Sequence, residues 1–104
     1  MAAWRPSEST SASLAVSPST AAPGQSVALN ADASDDDYVD HVAFYRIDPS
    51  GDTVYLGTDV NEPWQLGAVV PASTARGTTV YFFARATDSW GQQADSSLVA
   101  VKVQ

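Results

Sequence analysis

The chain has 104 residues, 44% of them hydrophobic and 16% charged, which suits one domain around one core. A formal net charge of −7 repels phosphate backbones and anionic bilayers, and no apolar run approaches the roughly 20 residues of a membrane span, so nucleic-acid binding and membrane insertion are both excluded as expectations. The absence of cysteine rules out disulfides and thiolate ligands.

Residues 1–11 are rich in Ser, Thr and Ala, contain Pro6, and read as a linker or tail. They lack the basic-then-apolar layout of a secretion signal and read as an excised segment given a starting Met. Trp4 within them reads as a partly docked side chain or the edge of a preceding domain. From residue 12 to 104 one domain is expected, because period-two alternation then runs almost to the end.

"SLAVS" puts Leu14 and Val16 on one face, and "PSTAAPGQ" breaks the run. "SVALNADA" turns Val27, Leu29, Ala31 and Ala33 inward, and the acidic "SDDDYVD" follows as a loop. "HVAFYRI" places Val42 and Phe44 opposite Ala43, Tyr45 and Ile47; "DPSGD" is a hairpin turn; "TVYLG" returns with Val54 and Leu56 inward. "PWQLGAVV" gives an inward Trp64, Leu66, Ala68 and Val70. "TVYFFARATD" gives inward Val80, Phe82, Ala84 and Ala86, with small alanines leaving room for a large partner such as Trp64. The run ends on "TDSWG", where Asp88 can accept backbone N–H bonds and Gly91 can take a positive φ. "LVAVKV" closes the chain with Val99, Val101 and Val103 inward. About seven short strands bounded by turn residues predict an all-β, antiparallel, immunoglobulin-like sandwich of Greek-key type.

Several stretches together resemble bacterial immunoglobulin-like domains: "LAVSPSTAAPGQSVALNADASD", "VAFYRID…GDTVYLGTD", "EPWQLG" and "YFFARATDSWGQ". The resemblance covers most of residues 12–95, and the fibronectin type III pattern, which shares the architecture, fits less closely. It implies a non-catalytic spacer or accessory module of a larger secreted or cell-surface bacterial protein, an adhesin or a modular polysaccharide-degrading enzyme. Neighbouring domains of the same polypeptide are then the partners. Some members bind sugar, calcium or a partner protein. This sequence departs from the family in having Tyr38 where a glycine is common after the acidic loop, and in a longer "RIDPSGDTVY" hairpin.

Three kinds of chemistry are conceivable on such a scaffold. Catalysis is not expected: His41 is the one histidine, and no strained Gly-x-Ser-x-Gly elbow marks a serine for it. For Ca²⁺, Asp35, Asp36, Asp37 and Asp40 share one loop, and Asp88 ends a strand at the same end of the sandwich. Their spacing is not that of an EF-hand, and turn-forming acids account for the same cluster. For ligand binding, Tyr45, Tyr55, Tyr81 and Phe83 are expected to point outward from adjacent strands, with Trp90 at a loop tip. Four outward aromatics would make an apolar patch of a few hundred Å². An adjoining domain, stacked sugar rings or the N-terminal tail with Trp4 would each explain such a patch.

Overall fold

Alternation at period two leaves each strand one apolar face, and two sheets bury those faces against each other. The computed structural model describes residues 10–35 and 38–104. Trp4 and the rest of 1–9, and Asp36 and Asp37, lie outside the described residues. Among those described there are nine strands and no helix: β1 (Ser11–Ser17), β2 (Thr20–Ala21), β3 (Ser26–Ser34), β4 (Val39–Ile47), β5 (Thr53–Asp59), β6 (Trp64–Val69), β7 (Thr79–Asp88), β8 (Gln93–Asp95) and β9 (Val99–Val103). One sheet has the order β1–β3–β6; the other runs β2–β9–β7–β4–β5, with β8 also on β7.

The seven longer strands fall where the alternation predicts them, and β2 and β8 are additions. β2 exists because Pro18 has no N–H to continue a ladder. β1 therefore leaves β3 after Ser17, and the chain resumes on the other sheet beside β9. That pairing is parallel, a correction to the wholly antiparallel expectation. β8 and β9 are one run interrupted at Ser96. Its hydroxyl accepts the Ala84 N–H at 2.9 Å, its N–H donates to the Ala84 carbonyl at 2.8 Å, and the register on β7 slips there by one residue.

The core forms from the predicted inward set. Leu29, Val42, Phe44, Val70, Val80, Phe82, Val101 and Val103 are essentially solvent-free. Trp64 lies in the same cluster as Ala84 and Ala86, in keeping with the pairing of a large ring with small residues. Each of these large side chains contributes roughly 1.5–3 kcal/mol through burial.

The register also defines two poles. Val39 faces Asp88, and Ser11 faces Ser34, so the β3–β4 and β7–β8 connections and the start of β1 share an upper pole. Thr79 faces Lys102, which puts the end of β9 at the lower pole with the β6–β7 connection. At the upper pole the two loops are joined directly, the Ser89 N–H donating to the Tyr38 carbonyl at 3.1 Å.

Candidate functional site

The residues singled out from sequence fall into two places: the upper pole and the outer face of the larger sheet. At the pole, Asp88 is the anchor and is only 3% exposed. Its Oδ1 accepts the N–H of Trp90 at 2.9 Å and of Gln92 at 2.7 Å, while Oδ2 accepts the Thr10 hydroxyl at 3.0 Å. Gly91 closes the turn at φ +86°, as the spacing predicts. Burial pushes the Asp88 carboxyl up. The Gln92 N–H, the Thr10 hydroxyl, the Trp90 N–H and the Asp35 side chain outweigh that and hold it below the ordinary 3.8.

Thr10 also meets Asp35 Oδ1, so one hydroxyl joins Asp35 to Asp88 across the pole. Of the acids considered for Ca²⁺, the structure thus brings Asp35 and Asp88 together. Asp40 instead turns to Nδ1 of His41 at 2.8 Å, and Asp37 lies outside the described residues. Among the described residues no three His, Cys, Asp or Glu side chains are grouped to hold an ion. Among the described residues the hydrogen-bond partner of the His41 ring is Asp40, not a serine hydroxyl.

Beside this pole an open groove of about 620 Å³ runs between Asp35, Tyr38, Asp40, Val60, Glu62 and Trp64. The sequence gives little sign of it, because its walls come from two separate connections, β3–β4 and β5–β6. Asp59 braces the same end, accepting the N–H of Gln65 at 3.0 Å and of Asn61 at 3.1 Å. Those two N–H groups, in that order, with a smaller contribution from the Val60 N–H, hold its carboxyl below 3.8 against a modest desolvation.

On the outer face, the four expected aromatics do come from adjacent strands, but they do not form an open platform. The rings of Tyr45 and Phe83 stack at 4.9 Å, 13° from parallel, and Tyr55 approaches Tyr45 at 5.7 Å with a 59° tilt. The Arg85 guanidinium lies 5.1 Å from the Tyr45 ring centre and 5.8 Å from that of Phe83. Arg85 is fixed there by Asp95, through Nε–Oδ1 at 2.7 Å and Nη2–Oδ2 at 3.1 Å, and this bond above all raises its pKa. Phe83, expected outward and accessible, points outward but is 8% exposed. Its ring is covered by Tyr45 and by an arginine whose partner sits ten residues further along. Tyr55 and Trp90 stay open, at 58% and 57%, and Tyr81 is marginal at 38%.

The chain is similar to a solved structure of the fibronectin(III)-like modules of Clostridium thermocellum CbhA. They share 20% identity, 88% of this chain and 93% of that one are covered, and the TM-score is 0.69. The fold is that of a fibronectin(III)-like module. No family model matches the sequence, and no curated protein matches it. The two sheets have the immunoglobulin-like sandwich architecture to which the sequence motifs point. No helix among its described residues is long and apolar enough to cross a membrane.

Thr10, Asp59, Arg85 and Asp95 hold these sites together without any catalytic or metal-binding motif in the sequence to mark them. Thr10 stands directly before the first alternating run, the one local hint that it belongs to the sandwich.

Proposed function

We propose that the chain is a non-catalytic spacer of a larger secreted or cell-surface bacterial protein, holding the modules on either side of it in a fixed relative orientation. One observation carries this reading: the described residues begin at one pole and finish at the other, and the sandwich body bonds both Thr10 and Gln104. At entry, Thr10 is held by Asp35 and Asp88. At exit, the Gly77 N–H donates to the Val103 carbonyl at 2.7 Å and the Val103 N–H to the Thr78 carbonyl at 2.9 Å. Arg76 Nη1 and the Gln104 carbonyl are 2.7 Å apart, and the Gln104 N–H donates to the Ala21 carbonyl at 2.9 Å.

A segment tied at both ends passes on direction as well as distance, which a Ser/Gly-type coil does not. The likeness to modules of CbhA supports a modular role, and the bacterial and extracellular placement rests on the sequence resemblance. With spin-labelled reporter domains fused to either end, double electron–electron resonance is expected to give one narrow distance peak. A broad distribution of the kind a flexible linker gives would end the spacer reading.

A second reading, recognition of a polysaccharide or protein, is favoured by the exposure of Tyr55 and Trp90. Sugar stacking needs ring faces open to solvent. Tyr45 has Phe83, Tyr55 and Arg85 around it, so of the rings singled out for binding Tyr55 and Trp90 are the most exposed. In affinity electrophoresis through soluble polysaccharides the chain is expected to migrate without retardation. Retardation that Tyr55→Ala or Trp90→Ala abolishes would replace the spacer reading with a binding one.

A further inference from the structure

A sheet edge is a row of backbone donors and acceptors that a new strand can join, and proteins usually blunt such edges with charge, proline, a bulge or brevity. Most edges here are blunted. β2 has two residues. β5 is bulged at Leu56, between the Phe44–Gly57 and Tyr45–Tyr55 pairs, and ends on Asp59. β6 lies against β5 and is tied to it where Asp59 accepts the Gln65 N–H. β1 is different. Its seven residues, Ser-Ala-Ser-Leu-Ala-Val-Ser, contain no charge, no proline and no bulge. They pair without a break with β3, from Ser11–Ser34 to Ser17–Ala28, and no other described strand joins their far side. Ala12, Leu14 and Val16 pack on the core yet remain only partly buried, so the sandwich is incompletely closed along this flank.

We propose that β1 is a self-association edge, at which two copies of the chain pair β1 to β1 antiparallel about a two-fold axis at Leu14. The strand reads nearly the same from either end. In that register Ser11 faces Ser17, Ala12 faces Val16, Ser13 faces Ala15, and Leu14 faces its own counterpart. Inward residues meet inward residues and outward meet outward, as the pleat requires. The outward row is small and uncharged, so no charged side chain of β1 meets another across the axis, the acid next to it being Asp32 on β3 opposite Ser13. The half-covered Leu14 and Val16 gain cover from their symmetry mates, and the contact is self-complementary, as a closed dimer requires. A strand of unrelated sequence would have to reproduce this small-out, apolar-in pattern; a second copy already carries it.

Sedimentation equilibrium of the full chain, from about 10 μM to about 1 mM, tests this at the weak end of protein association. A monomer–dimer equilibrium is expected, and it strengthens with salt because the like net charges are screened. The double variant Ser13→Lys with Ala15→Lys sets lysines against each other across the axis while leaving them exposed in the monomer. It is expected to weaken the dimer at least tenfold with the melting temperature unchanged. Gln65→Lys with Val69→Lys, which makes the same charge change at exposed positions on β6, the strand of the same sheet farthest from β1, is expected to leave dimerisation intact. A chain monomeric at the top concentration, a dimer that survives the Ser13/Ala15 variant, or equal loss in both variants would each overturn the proposal.

Discussion

Phe82→Ala is expected to lower the unfolding free energy by about 3–5 kcal/mol, and Phe83→Ala by only about 1–2 kcal/mol, in equilibrium denaturation. The two rings are adjacent in sequence and both are largely shielded, yet they belong to different environments. Phe82 is fully enclosed between the sheets, and its loss leaves a cavity that the packed core cannot close. Phe83 lies on the outer face against Tyr45 and beneath Arg85, at the edge of solvent, where water can fill the gap. Equal costs, or a larger one at Phe83, would mean that the inward and outward faces of β7 are reversed.

Removing the charge of Asp88 gives the second large effect, and it depends on pH. The folded carboxyl is held below 3.8, so its contribution to stability is complete above about pH 4 and is lost as pH falls through that lowered value. Asp59, lowered in the same direction, adds to the same acid limb. Asp88→Asn removes one of these titrations, leaves a single, weaker amide oxygen to accept the N–H groups of Trp90 and Gln92, and puts an NH2 donor where Oδ2 accepts the Thr10 hydroxyl. Its melting temperature at neutral pH is expected to fall by roughly 10 °C. Between about pH 5 and pH 2 its melting curve is expected to decline less steeply than that of the native chain. A variant that loses stability with acid as fast as the native protein would show that Asp88 is not a source of the acid sensitivity.

The extent to which these sites are legible in the sequence follows from how far apart their parts lie. Seven strands and the inward set can be read because alternation is local: Val80, Phe82, Ala84 and Ala86 declare their face within one run. The turn at Asp88 and Gly91 is equally local. β2 and β8 have two and three residues, too few to show a period, and they exist only because Pro18 and Ser96 redirect a ladder already begun. The covering of Phe83 depends on Arg85 being held by Asp95 across a turn, and the clasp at the upper pole joins residues 10, 35 and 88. No window of sequence contains either arrangement.

The strand that changes sheets sets how the molecule bears load. β2 belongs to the incoming part of the chain and β9 to the outgoing part, and they run side by side in the same direction. Tension drawn from both termini slides one along the other in shear and does not peel them apart. The bonds from Lys102 N–H to the Ser19 carbonyl at 3.1 Å and from Gln104 N–H to the Ala21 carbonyl at 2.9 Å are therefore strained together. A two-residue clamp of this kind yields at modest force, so stretching opens this flank while β4 and β7, buried in the middle of the larger sheet, keep their pairing.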